Sequence, residues 1–306
     1  MITYEPNKNW FRDIRHLTRS WTIQKILRGV LLIGILSTLI CVLFVHFNIV
    51  PSLNSSIFSL LGIVLSILLV FRTNTAYDRW WEGRKQWGEL VNQTRNLAVM
   101  LRACVPQEDP DSRNFFARHI SSFCHALTWH LRTGVKPEEL TDLSPEEREQ
   151  LKVIQHIPNY LSYRIAERVQ LIYNGGGISD ANLINIHTHH QALINVLGAC
   201  ERIKKTPIPF SYAVYIKVFI SLYGLMLPFG LFRDFSFYTI PLVMFIFFAM
   251  LGIELMAQEI EEPFGLDCND LPTGDIADTI RKNVFEILTN RQIDAKPVRE
   301  MYSKVF

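Results

Sequence analysis

Ile63, Ile67 and Phe71 recur at a spacing of four, so on a helix they form one apolar stripe, flanked by Ser59, Ser66 and Val70. Such a stripe makes and breaks no bonds. Where it lines a narrow path, it controls wetting, because a few ångströms of radius decide whether a water column, and with it an ion, is stable there. The same triple also suits a lipid-facing or packed surface, and spacing alone does not separate the two. His187 and His190 stand at i and i+3, the spacing at which two imidazoles on one helix reach a zinc-type ion. His189 is beside them, and His119, His125 and His130 fall on another predicted helix. No carboxylate or cysteine sits at a partner spacing to His187 and His190, so a wet cavity lining is the competing reading. Glu259, Glu261 and Glu262 read as solvated acids or partners of basic neighbours, and Tyr77, Asp78, Arg79, Arg84 and Lys85 as a layer of salt bridges between helices. No nucleophile, phosphate loop or nucleotide fingerprint occurs, which leaves an enzyme without positive support. A net charge of +2 and the lack of a basic, aromatic-interleaved stretch give no support for nucleic acid as a partner.

The elements that carry these residues follow from where charge is missing. Between Arg28 and Arg72 lie 43 residues without Lys, Arg, Asp or Glu. One crossing takes about 20 residues, and turn chemistry at Asn48, Pro51, Asn54 and Ser55-Ser56 divides the stretch into two spans and a short hairpin. A second apolar block runs from near Tyr212 to Ile253, interrupted only by Arg233-Asp234, and supplies spans three and four. Lys217 near its start snorkels toward headgroups, and Pro228 and Pro241 predict kinks. Basic residues cluster before span one, after span two and before span three, whereas the outer loops carry no net charge. The positive-inside rule therefore predicts a multi-pass protein of the cell inner (plasma) membrane with both termini cytoplasmic. Cys41, Cys104, Cys124, Cys200 and Cys268 form no C-x-x-C and read as reduced, packed thiols.

The expected organisation is all-α: an interfacial segment at 1–25, spans one and two within 26–72, a cytoplasmic helical region at 73–210, spans three and four within 211–257, and a cytoplasmic tail at 258–306. Trp80, Trp87, Thr94 and Leu101 recur every seven residues, which predicts that span two runs on as a long cytoplasmic helix. Phe116, Ile120, Phe123, Leu127 and Leu131 share one face of a helix over Asn114–Arg132. Ser144-Pro145-Glu146-Glu147 is a helix start, Pro158 is expected to end that element with Asn159 capping the next, and Ser179 or Asp180 caps a helix that follows Gly175-Gly176-Gly177. The tail is expected to hold one helix near Asp275–Thr289 and to wrap a neighbouring subunit.

The run Phe71-Arg-Thr-Asn-Thr-Ala-Tyr-Asp-Arg79-Trp80-Trp81, the stretch Thr206-Pro207-Ile208-Pro209-Phe210-Ser211-Tyr212, and Pro263-Phe264-Gly265 occur in the order and at the separations of the bestrophin family, which this chain resembles over residues 1 to 290. That resemblance implies a homopentamer around one axial pore in the lipid bilayer, with Ile63, Ile67 and Phe71 forming a hydrophobic neck. It also implies a second, cytoplasmic constriction. An ungapped count places it at Ala181, with Ile178 and Ile184 as alternatives because alanine is small. Animal members bind calcium through acids after Pro-Phe-Gly. Here Asp267 and Asp270 remain of that run, so the resemblance implies a weakened calcium site at most, and no other cofactor. The function expected is passage of monovalent ions, with Na+ favoured by a short tail and depleted acids that look like the prokaryotic branch. A chloride-selective channel of the same fold is the alternative, ahead of a membrane transporter or a metal-dependent membrane enzyme.

Overall fold

The computed structural model describes residues 21–49, 53–106, 108–267 and 269–292, and every regular element among them is helical. Helix α1 (Trp21–His46) and helix α2 (Ser55–Cys104) follow from the uncharged stretch, with Asn54 capping α2 by accepting the Ser56 N–H. Helices α3 (Pro110–His130), α4 (Pro145–Leu151), α5 (Ile157–Asn174) and α6 (Asp180–Lys205) build the middle region. Helix α7 (Phe210–Phe235), a 3-10 turn at Ser236–Tyr238 and helix α8 (Thr239–Ile260) form the second apolar block, and α9 (Thr273–Thr289) closes the described chain. Three helical stretches are long and apolar enough to cross a membrane: 22–46, the first part of α2, and 210–260. The last is a hairpin, because α7 and α8 pack on each other on either side of the turn, where Ser236 takes a φ of 48°. Four apolar helical segments result, as expected.

These segments bury little within one chain. Leu31, Leu32, Ile35 and Leu39 of α1, Val218 and Leu222 of α7, and Phe245 of α8 are exposed, which is the outer surface a bilayer covers. The inner faces pack closely. Gly224 and Gly230 of α7 lie so near Phe247 and Phe58 that a Cβ would sit 2.6 and 2.2 Å from their rings. The Tyr223 hydroxyl donates to the Phe58 carbonyl at 3.0 Å. Pro228 lies inside α7 as expected, whereas Pro241 falls in the first turn of α8, where its missing N–H costs nothing and no kink is required.

The helices of the middle region and α9 share one core with the second half of α2. The faces read from the seven-residue and 3.6-residue patterns are buried: Trp87, Thr94 and Leu101 on α2, and Phe116, Ile120, Phe123, Leu127 and Leu131 on or just after α3. Ser144 and Glu147 form a reciprocal capping box with Pro145 at the first position of α4. Pro158 does not end α4. It sits in the first turn of α5, where proline is pre-organised, and the cap is His156, whose Nδ1 accepts the Asn159 N–H. Ser179 caps α6. The tail helix packs on its own chain. Ala277, Ile280, Val284 and Leu288 of α9 are buried against α2 and α3 of the same chain, and Arg281 holds Asp142 through both its Nε and Nη2. Its apolar face is therefore satisfied without a neighbour. The interfacial segment expected before α1 lies outside the described residues up to position 20. The four cysteines whose side chains are described, Cys41, Cys104, Cys124 and Cys200, are free thiols, three of them buried.

Candidate functional site: the exposed face of the long helix

One side of α2 is buried along its whole length, through Phe58, Leu65, Leu69, Arg72, Ala76, Gly83, Trp87 and onward. The stripe at issue is on the other side. Ile63, Ile67 and Phe71 are 58 %, 51 % and 60 % exposed within the single chain. The serines beside them spend their hydroxyl protons within the helix: Ser59 and Ser66 donate back to the carbonyls of Ser55 and Gly62, at 3.3 and 2.8 Å. Past Phe71 the same face turns polar: Asn74 is exposed, and Asp78, two turns beyond Phe71, is the first exposed ionisable group on it.

The rotation of this helix is set one residue beyond Phe71. Arg72 and Glu254 are both 1 % exposed. Arg72 Nε lies 3.4 Å from Glu254 Oε2, and its Nη2 lies 2.7 Å from Glu261 Oε2. Glu261 also accepts the Ile208 N–H at 3.0 Å, so one carboxylate joins α2 to the segment entering α7. Arg79 continues the lock by donating to backbone carbonyls, those of Ile203 at 2.7 Å, Glu261 at 3.1 Å and Thr206. Arg79 thus does not form the salt-bridge layer expected of it, since carbonyls left open at the ends of α6 and α8 are its acceptors. The Trp80 indole donates to the Asn269 carbonyl at 3.0 Å, and Gly83 faces Pro263 and Phe264 so closely that a Cβ would lie 3.1 to 3.2 Å away. The three sequence stretches around Arg79, Pro209 and Phe264 meet in this one layer.

The other residues singled out fall in different places. Ala181 and Ile184, in the first turns of α6, have exposed side chains, Ile184 at 66 %. Ile178 is only 5 % exposed and belongs to the core of the middle region, so its side chain is packed rather than facing an aqueous path. Asp270 is buried. Its Oδ2 accepts the backbone N–H of Asp267 at 2.6 Å, and a Cβ on Gly265 would come within 2.6 Å of that oxygen, so this carboxylate folds its own loop. His187 and His190 do not gather a metal site among the described residues: His187 is exposed, while His190 Nε2 is engaged by the Ser162 hydroxyl at 2.7 Å and the Ser162 carbonyl at 3.0 Å. Burial pushes the His190 imidazole below its ordinary pKa, which fits that neutral, hydrogen-bonded role. The histidines that do meet a carboxylate are His130 and His156, whose Nε2 atoms lie 2.6 and 2.8 Å from Glu201 Oε1. Their positions are 26, 45 and 71 residues apart in the chain, so no local spacing signalled them.

Comparison with known proteins places this arrangement. The family model described as Bacterial/Fungal Bestrophin protein matches residues 1–286. A voltage-dependent anion channel-forming protein of Nostoc sp. is 37% identical over 92% of both chains, and one of Escherichia coli K12 is 30% identical over 95% of both. Among solved structures, a bacterial bestrophin homologue from Klebsiella pneumoniae carrying a point mutation superposes with a TM-score of 0.80 at 28% identity, covering 86% of this chain and 99% of that one.

Proposed function

The chain belongs to the bestrophin family, a membrane channel protein and not an enzyme, and from that premise we propose that five copies surround an axial pore for monovalent ions, with Ile63, Ile67 and Phe71 as its neck. The observation that carries this reading is the exposed stripe itself: an apolar face whose flanking serine hydroxyls bond back to their own helix, opposite a buried ionic anchor, and continuous with a polar face below it. Five such stripes around an axis form a constriction that blocks ions when dry and passes them when wet. In this reading residues 26–72 and 211–257 lie in the inner membrane, 73–210 and 258–306 face the cytoplasm along with residues 1–25, and Ala181 or Ile184 narrows the exit.

The apolar neck carries no charge, so the sign of the ion depends on the nearest exposed charges. Asp78 supports cations, with Na+ as the ion, because five carboxylates would ring the inner mouth of the neck. The names of the Nostoc and Escherichia coli relatives support the second reading, an anion channel. The reversal potential of the purified protein in a planar bilayer under a NaCl gradient tests both. A potential near the sodium value that collapses in Asp78→Asn supports the first, one near the chloride value supports the second, and absence of current in an assembled protein rejects the channel. Asp267 and Asp270 supply no open calcium cage in this reading, and chelation of calcium is expected to leave the current unchanged.

A further inference from the structure

His130 is the last residue of α3, His156 is the N-cap of α5, and Glu201 lies in the last two turns of α6. Two imidazole Nε2 atoms converge on one carboxylate oxygen, the three ligand atoms all lie within 4.8 Å of one another, and the ring centroids are 4.6 Å apart. All three side chains are part-buried, with relative exposures of 24 %, 34 % and 21 %, so the cluster is held by the fold yet open to water on one side. We propose that His130 Nε2, His156 Nε2 and a carboxylate oxygen of Glu201 form a binding site for a divalent transition-metal ion of the Zn2+ type.

The donor set suits such an ion: two imidazoles and one carboxylate, with a fourth position left to water, is a set zinc takes in tetrahedral geometry and a hard ion such as Ca2+ does not prefer. Zinc bonds of about 2.0 to 2.1 Å set neighbouring donors about 3.3 Å apart, so Glu201 must withdraw about half an ångström from each ring, a side-chain movement. Two other contacts oppose the ion. Lys205 Nζ lies 4.0 Å from Glu201 Oε2, on an exposed and flexible side chain that swings clear. His156 Nδ1 accepts the Asn159 N–H at 3.3 Å, so when Nε2 gives its lone pair to the metal, the ring proton must move to Nδ1 and this long cap contact opens. Burial, opposed by the Glu201 hydrogen bond, keeps the His130 pKa below its ordinary value and so favours the neutral ligand form.

A bound ion would tie together the ends of three helices, one of which, α6, leads through Thr206-Pro207-Ile208-Pro209 into the membrane hairpin. The site is independent of which ion the pore passes. The test is calorimetric titration of ZnCl2 into the chelator-stripped, detergent-purified full chain, alongside His130→Gln, His156→Gln and Glu201→Gln, each checked for an unchanged elution volume. We expect one zinc per subunit and at least a tenfold weaker affinity in each variant, with X-ray absorption of the zinc-loaded protein showing nitrogen and oxygen neighbours only. Absence of binding to the parent protein, or the same affinity in His130→Gln and Glu201→Gln, would overturn the proposal. Should one variant fail to elute as the parent does, the other two and the absorption spectrum of the parent still decide.

Discussion

The apolar half of α2 before Arg72 and the more polar half after it are one unbroken helix, yet they bury different amounts of themselves. Below Arg72, Trp87, Leu90, Thr94, Leu97, Ala98 and Leu101 close onto a core shared with α3, α6 and α9 of the same chain. Above it only Phe58, Leu65 and Leu69 are covered, and the rest of the apolar surface faces outward. The half after Arg72 is complete as a single chain. The apolar half leaves most of its surface to lipid, and beside its apolar contacts it is fixed at its end by the buried ion pair of Arg72.

That contrast predicts where damage is severe. The largest effect is expected from Trp87→Ala, which opens a cavity in the complete half and costs about 3 to 5 kcal/mol. Thermal unfolding in detergent should show it, and an unchanged midpoint would mean that the core around Trp87 is not the stable unit. Arg72→Gln comes next, because Glu254 keeps a buried carboxylate without its cation, a change of about 3 kcal/mol or more. Replacing Glu254 by Gln in the same chain should restore much of the loss, and failure of that rescue would show that Arg72 acts through Glu261 alone.

Ser144→Ala removes the cap of α4 in the middle region and is expected to cost about 1 kcal/mol without altering current. Ile67→Ala should do the reverse. Stability moves by less than about 0.5 kcal/mol at so exposed a position, whereas single-channel conductance or open probability rises. Equal currents in Ile67→Ala and the parent would remove this stripe from the neck. A separate effect is absent at neutral pH and grows only with acid. Burial holds His119 at a pKa of about 4, against 6.5 unperturbed, so on acidification the unfolded chain takes up this proton first. The contribution is complete above about pH 6.5 and falls away toward pH 4. Denaturation midpoints of His119→Gln should depend less on pH across that window, and parallel curves would assign the dependence elsewhere.

The elements were legible because their signals are local. An uncharged run, a seven-residue repeat and a capping residue each act through neighbours along the chain, and α2, α4 and α6 start close to where those signals stand. Pro158 misled because the same ring that ends one helix is welcome in the first turn of the next, and only the position of His156 decides between them. The stripe at Ile63, Ile67 and Phe71 was visible as a period. That it is exposed, and that Ile178 is not, depends on which face its neighbours cover.

By itself the amino-acid sequence determined the helical class, the four apolar segments and the family, since hydrophobic period, charge depletion and motif order are properties of the linear chain. Only the tertiary structure decided that α9 packs on its own chain, that Arg79 serves carbonyls rather than carboxylates, and that Glu201 stands between two histidines far from it in sequence. The physical reason is the same in each case. A partner is chosen by distance and by what else is left unsatisfied nearby, and neither is written in spacing along the chain.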